Sequence, residues 1–368
     1  MSDPWDPASV QGDLELAPSS CSVSMAPKSK APPEPELEPD VDIGPPIQSY
    51  WSYDTGAPAL QEFVAARPRA DGDEGRATST TLDAAQLLIN DLKEGDMKSL
   101  IKCLDLADDF QAVCKKLRVP PHPAVVAGLG RLADTPTSLA IRGWACDAAS
   151  LSILLALLSV SKVTQLRFWD CSLSANALEL VASSLPPAVT ILHMEGDVPA
   201  MLTGGDGTGS VADRATVALR LVAIPSLKVL SLRCMGLDAT AARRIADSLQ
   251  AGSKLVALSL WSNPIGDEGA SAVLQAVHGS STLKSLNLGR TKLTDAVVGA
   301  VERLLCAQSD GELPNETLSS LDLSYNRISA EGFSALRSVK ESTLDLTGNP
   351  CWPLPGSEPT AEAPVEGK

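Results

Sequence analysis

The sequence predicts an α/β solenoid with a parallel β-sheet on its concave face, helices on its convex face and a helical cap at its N-terminal end. One pattern of leucines recurs with a period of 28 residues, and a fixed period of this size is typical of stacked repeats. Its three clearest copies span residues 227–237, 255–265 and 283–293. Each copy has apolar residues at positions one, four, six and eleven, which favours a short strand followed by a turn.

The second half of each repeat predicts a helix. Small or apolar residues recur there at every fourth position, which places them on one narrow face of a helix. In four repeats these residues are Ala177, Val181 and Leu185; Ala241, Ile245 and Leu249; Gly269, Val273 and Val277; and Val297, Val301 and Leu305. A strand and a helix in every repeat give a parallel sheet with the helices outside it.

About eight copies of the repeat are expected within residues 133–353. They start near residues 136, 163, 189, 227, 255, 283, 318 and 341. The two widest spacings contain polar insertions at residues 203–210 and 308–314, and insertions into repeats are expected to form surface loops.

A helical cap is predicted over residues 79–132, before the first repeat. Thr81 is a suitable N-cap for a first helix, and two further apolar runs with helical spacing follow. The last of these runs ends before Pro120 and Pro121. Since the terminal repeat of a solenoid would otherwise expose a hydrophobic end, these helices are expected to cover it.

Residues 1–78 are predicted to form a disordered arm, and residues 354–368 a disordered acidic tail. Pro and acidic residues dominate both segments, so neither can bury enough apolar surface to fold alone. An aromatic island at residues 43–53 interrupts the arm and contains Tyr50, Trp51 and Tyr53. This island is either a docking peptide for another protein or a short segment that folds back on the solenoid.

Position nine of the repeat is expected to have a structural role. Asn occupies it at Asn263, Asn326 and Asn349, and Cys171 takes its place in one earlier repeat. An inward-pointing amide can bond to the backbone groups that are left unpaired where each strand ends.

This pattern resembles the leucine-rich repeat, and the period of 28 residues with its helix-opening Gly266–Ala270 segment is similar to the ribonuclease-inhibitor-like class. The resemblance covers roughly 60% of the chain, about residues 136–352. It implies a horseshoe-shaped arc that binds proteins on its concave face, without catalysis and without a cofactor. Members of the class include an inhibitor of ribonucleases, a GTPase-activating protein, innate-immune sensors and subunits of ciliary axonemes.

Charge and cysteine content argue against several classes of protein. Residues 1–80 hold 14 acids and five bases of a chain with net charge −15, so the repeats are nearly neutral and a nucleic-acid partner is not expected. Eight cysteines without a Cys-x-x-Cys pair favour reduced thiols.

The chain opens without signal-peptide features, and its longest apolar run, residues 151–160, is too short to cross a bilayer. We therefore expect a cytoplasmic protein without membrane insertion.

Catalytic and ligand-binding patterns are weak. His193 falls on the predicted concave face near Ser231, Cys234 and Glu195, but a satisfied surface histidine is the simpler interpretation. The glycine-rich segment 204–209 lacks the Lys-Ser/Thr of a phosphate-binding loop. No spacing of His, Cys or acidic residues indicates a metal site, and neither metal nor cofactor is expected.

The candidate binding residues lie at strand positions five, seven and eight, which face the concave surface because strand side chains alternate. Arg, Trp and Tyr supply much of the energy of protein interfaces and are frequent among them. The predicted concave-face site comprises Arg142, Arg167, Trp169, His193, Glu195, Arg233, Trp261, Arg290, Asp322 and Tyr325. The alternative is that neighbouring side chains or the arm cover these aromatic residues.

The sequence therefore predicts a non-enzymatic protein–protein interaction scaffold, most simply a structural or adaptor subunit of a larger hetero-complex. The resemblance extends this expectation to the cytoskeleton and to the axoneme of a cilium or flagellum. The alternative function is regulation, as an inhibitor or activator of an enzyme or a small GTPase.

Overall fold

A computed structural model describes residues 81–102, 105–173, 175–196, 211–306, 313–336, 339 and 343–351. The predicted arm with its aromatic island, the acidic tail and the first insertion lie outside these residues, as does most of the second insertion. Within the described residues, strands and helices alternate as the repeat pattern predicts.

Three α-helices precede the first strand in the described part of the chain: α1 (Thr81–Glu94), α2 (Leu106–Lys116) and α3 (Pro123–Gly130). The second predicted apolar run forms only a short 3₁₀ turn, Asp96–Leu100, because Asp105 starts a new helix. Its carboxylate accepts hydrogen bonds from the backbone N–H groups of Ala107 and Asp108. Helix α3 was not predicted, although a proline in its first turn is a recognised start signal.

The described strands form one parallel sheet of nine strands. Eight of them follow chain order, one from each repeat, and the short strand β2 (Ala145–Cys146) pairs with β3 beside this path. The main path consists of β1 (Ser138–Arg142), β3 (Gln165–Leu173), β4 (Ile191–Gly196), β5 (Val229–Arg233), β6 (Ala257–Ser259), β7 (Ser285–Asn287), β8 (Ser320–Asp322) and β9 (Leu344–Asp345). The predicted parallel sheet is confirmed.

The helices of the repeats are α4 (Ala148–Leu158), α5 (Ala175–Ser184), α6 (Val211–Val222), α7 (Ala239–Gln250), α8 (Gly266–His278), α9 (Val298–Leu305) and α10 (Ala330–Ala335). The predicted four-residue spacing faces the sheet. Ala241 and Ile245 of α7 are fully buried, as are Val273 and Val277 of α8. The leucines of the strands complete this continuous core.

Helix α4 differs from the other helices because it is buried on every side. All residues from Ala148 to Leu158 are buried, since α1 and α2 pack against the helix. Ala156 is 0% exposed, whereas the same position of later repeats is exposed to solvent, at Ser183, Asp247, Gln275 and Arg303. Helix α3 packs against β1 at the edge of the sheet. The cap therefore covers both the first strand and the first helix.

The role predicted for position nine is confirmed. The side-chain oxygen of Asn326 accepts hydrogen bonds from two backbone N–H groups of the preceding repeat, and its amide nitrogen donates to carbonyl oxygens of both repeats. Asn263 and Asn349 make the same kind of bridge. The Cys171 thiol lies 3.2 Å from the carbonyl oxygen of Trp169 and 3.6 Å from that of Ile141, so it makes weaker bonds at the same place.

Position eight of the repeat adopts a left-handed backbone conformation in seven repeats. The residues and their φ angles are Gly143 (67°), Asp170 (50°), Cys234 (51°), Ser262 (57°), Arg290 (54°), Tyr325 (55°) and Gly348 (75°). Five of these seven are not glycine, although this conformation strains side chains that have a Cβ atom. The chain thus turns sharply at the end of nearly every strand.

Candidate functional site

The face of the sheet opposite the helices, which we call the open face, carries the side chains that alternate with the core leucines. Leu192, Leu230 and Leu258 are neighbours in register and belong to the core. The residues that follow them, His193, Ser231 and Ser259, point the other way. The complete row in register is Ala140, Arg167, His193, Ser231, Ser259, Asn287, Asp322 and Asp345.

Three residues of the predicted site meet at the centre of the open face. The Arg233 guanidinium lies 4.5 Å from the centroid of the Trp261 ring, and the Arg290 guanidinium lies 5.7 Å from the same centroid. Both distances are within the range of cation–π attraction. We call these three residues the Arg-Trp-Arg cluster.

Gly289 allows Trp261 to lie against the sheet. A Cβ atom at this glycine would come within 2.7 Å of the indole Cδ1 atom and 2.9 Å of Nε1. Only a glycine leaves room for the ring in this position, so Gly289 positions Trp261. The sequence pattern gave no signal for this role, because Gly289 occupies a surface position of the repeat.

A second arginine–tryptophan pair lies on β3. The Arg167 guanidinium is 5.8 Å from the centroid of Trp169, whose side chain is 38% exposed. On β1 the Arg142 Nε donates to the Asp170 carboxylate at 3.2 Å. Glu195 lies 4.0 Å from Arg233, at the limit of an ion pair. Seven of the predicted site residues thus line the open face from β1 to the turn after β7, each beside a charged or aromatic neighbour: Arg142, Arg167, Trp169, Glu195, Arg233, Trp261 and Arg290.

His193 lies between two arginines of the open face. It is in register with Arg167 on one side and Ser231 on the other. Burial lowers the pKa of His193 to about 4, and the positive charges of Arg167 and Arg233 act in the same direction. The imidazole is therefore neutral at physiological pH.

The last strands carry a different set of side chains. Asn287 donates to the Asp322 carboxylate, which also accepts from the backbone N–H of Ser324. Asp345 is exposed. Tyr325 is 54% exposed and lies over Gly348, where an added Cβ atom would come within 2.7 Å of its ring. Asp322 and Tyr325 therefore lie at the acidic end of the open face, next to Arg290 and far from Arg142 and Arg167 on β1 and β3.

Catalytic chemistry finds little support at His193. Burial raises the pKa of the Cys234 thiol and lowers that of His193. An activated cysteine needs the opposite shifts, because the thiolate and the imidazolium must both form. Within the described ranges, no group of three or more His, Cys, Asp or Glu side chains could hold a metal ion. No helix in this part of the chain has the length and apolarity to cross a bilayer.

Tyr50, Trp51 and Tyr53 of the arm lie outside the described residues, so their predicted role stays a prediction. The sequence also missed the apolar side chains at position three of the strands. Ile191, Val229 and Ala257 are aligned in register on the open face and are buried. Their alternation with the core leucines was the available signal.

Comparisons with known proteins identify the repeats. A family model described as leucine-rich repeat matches residues 253–274 and 315–336, and both segments contain an asparagine at position nine. The chain is similar to NACHT, LRR and PYD domains-containing protein 5 of Bos taurus, with 25% identity over 258 residues that cover 64% of this chain. They cover 22% of the bovine protein, so the chain spans about a fifth of that relative. Leucine-rich repeats generally mediate interactions between proteins.

Proposed function

From the premise that the chain is a leucine-rich-repeat protein, we propose that it is a non-enzymatic scaffold that binds a partner protein on its open face. The observation that carries the proposal is the Arg-Trp-Arg cluster, Arg233, Trp261 and Arg290, at the centre of the sheet. Trp and Arg are enriched among residues that dominate interface energies, and central positions are where such residues cluster.

The neighbouring residues extend this surface. Arg167 and Trp169 repeat the pairing of the cluster on β3, and Trp169 and Tyr325 are among the few large apolar side chains that are exposed in the described residues. The proposed role is that of an adaptor or structural subunit of a hetero-complex, to which Tyr50, Trp51 and Tyr53 of the arm would add a second contact. Neither the matched repeats nor the bovine relative favours a ciliary or axonemal location, so we do not propose one.

The test is a native co-purification that compares the wild type with a Trp169→Ser/Trp261→Ser variant. We expect recovery of the partner to fall about tenfold or more, because each tryptophan would remove roughly 1–2 kcal/mol of binding energy. Quantitative mass spectrometry of the captured proteins measures this change. Circular dichroism and a urea midpoint check that the variant is folded.

The matched control is Arg243→Ala/Arg303→Ala, which removes two exposed arginines from the helical side of the repeats. This control should keep the partner. Equal recovery with all three proteins would place the binding site away from the open face. If a captured enzyme changes its rate when the purified chain is added, regulation replaces the scaffold role.

A further inference from the structure

We propose that the open face binds a peptide segment of ordered charge, with carboxylates over Arg233 and Arg290 and a basic side chain facing Asp322 and Asp345. The inference rests on the proposed function, because it names the chemistry of the partner that this face would bind. Three observations support it: the hydrogen-bond donors of the Arg-Trp-Arg cluster, the balance of charge on the open face and the order of the charges along the sheet.

The Arg-Trp-Arg cluster has many hydrogen-bond donors and few acceptors. An arginine that stacks on an aromatic ring uses the flat face of its guanidinium, so its two terminal NH2 groups can still donate to a partner. The Nε atom of Arg233 is buried and is not counted among these donors. Among the ion pairs of the described residues, Arg233 has only Glu195 at 4.0 Å, and Arg290 takes part in none. Arg290 is exposed, and half-buried Arg233 stays reachable from solvent. Carboxylates are the acceptors that fit two such groups best.

The charge of the whole face favours a peptide over a polyanion. Its arginines are Arg142, Arg167, Arg233 and Arg290, and its acids are Asp170, Glu195, Asp322 and Asp345, so the two signs are equal in number. A nucleic acid or a polyphosphate would approach all four acids and be repelled by them. A peptide can instead place its acids and bases where each is attracted.

The charges are ordered along the sheet. Arg233 ends β5, and Trp261 and Arg290 follow β6 and β7, whereas Asp322 and Asp345 lie on β8 and β9. The exposed Asp345 sets the spacing, because Asp322 already accepts hydrogen bonds from Asn287 and Ser324. Neighbouring strands are about 4.8 Å apart, so β9 lies roughly 10 Å from β7, which precedes Arg290, and roughly 19 Å from β5. An extended peptide rises about 3.3 Å per residue. The acidic and basic residues of the partner should therefore be separated by about three to six residues.

Selection from a random peptide library tests this order. Peptides of about 12 residues are displayed and selected on the full chain at about 50 mM salt, where exposed charges are weakly screened. We expect enrichment of two or more Asp or Glu residues, with Lys or Arg about three to six residues away. The best peptide is then labelled with fluorescein, and its dissociation constant is measured by fluorescence anisotropy.

Three variants locate the charges. Arg233→Glu/Arg290→Glu should weaken binding of the labelled peptide about tenfold or more and should itself select Lys and Arg in place of the acids. Asp345→Lys should remove the preference for the basic residue. Arg243→Glu/Arg303→Glu on the helical side should change neither. Because the first variant is expected to gain a new preference, a merely unfolded protein cannot imitate the result.

Two results would overturn the inference: selected peptides without the acidic preference, or equal binding by the Arg233→Glu/Arg290→Glu variant. Failure to select any peptide above a control protein counts against it in the same way. If peptides without charge order still need Trp169 and Trp261, only this inference fails. If the selected peptides ignore every substitution on the open face, the proposed function fails with it.

Discussion

The first and last repeats stabilise the turn that follows each strand with different side chains at position nine. In the later repeats, Asn263, Asn326 and Asn349 at position nine bond to the backbone of two repeats at once. The first repeat has Trp144 at this position, fully buried, with its ring centroid 6.1 Å from that of Phe168 and 6.3 Å from that of His122. The second repeat has Cys171.

The difference shows where each end of the described repeats obtains its stability. Three of the later repeats depend on hydrogen bonds from an asparagine side chain to the backbone of the preceding repeat. The first repeat depends on apolar burial beneath α1, α2 and α3, and His122 at the start of α3 packs near Trp144. A substitution should therefore have a large effect at one end and a small effect at the equivalent position of the other.

The largest effect is expected from Ala156→Glu compared with Gln275→Glu. Both residues occupy the same position of the repeat helix, but Ala156 is fully buried beneath the cap and Gln275 is exposed. A charge without a partner in the buried position should lower the free energy of unfolding by about 3–5 kcal/mol, and the exposed change by less than about 0.5 kcal/mol. Urea unfolding followed by circular dichroism measures both. Equal midpoints would mean that the cap does not cover α4.

A smaller effect is expected from Asn326→Ala compared with Cys171→Ala. Loss of the asparagine leaves buried backbone groups of Thr291 and Leu293 without their acceptor, and should lower the free energy of unfolding by about 2–4 kcal/mol. The cysteine makes only weak bonds, so its loss should lower it by about 1 kcal/mol. Hydrogen exchange of the Thr291 and Leu293 amides should accelerate in the first variant alone. Unchanged exchange there would assign the turn another source of stability.

The smallest effect is expected from the pH dependence of His193, which belongs to the early strands. Burial holds the pKa of His193 in the folded protein at about 4, below the ordinary histidine value of about 6.5. Between these values the unfolded chain binds a proton that the folded chain does not, so stability rises with pH across this window and is lost as pH falls towards 4. His193→Gln should therefore reduce the difference between urea midpoints at about pH 4.5 and pH 7.

The control for this pH effect is Gln275→Ala, which replaces an exposed side chain of α8 that does not ionise. Its midpoint difference should match that of the wild type. A normal titration of His193 followed by NMR would contradict the expected pKa.

The parallel sheet and its leucine core were predictable because each repeat carries the same local pattern. The position-nine bridges were predictable for the same reason, since Asn326 repeats the context of Asn263. The burial of Ala156 was not, because it depends on contacts with helices more than 60 residues away in the sequence for α1 and about 40 for α2. The proximity of Trp261 to both arginines was predictable, because Arg233 and Trp261 share position seven of consecutive repeats and Arg290 occupies position eight of the next. The space that Gly289 leaves for the Trp261 ring could not be predicted, because it depends on where the ring lies in the structure.

The left-handed residues at position eight set a limit on engineering a more stable version of the chain. Replacing them with glycine would relieve backbone strain of about 1 kcal/mol at each site. At Cys234 and Ser262 such a change would remove only a small side chain. At Asp170, Arg290 and Tyr325 it would also delete a group displayed on the open face. Backbone stability and the binding surface therefore depend on the same positions. A consensus design with glycine at position eight would lose the side chains that distinguish this chain from a generic repeat.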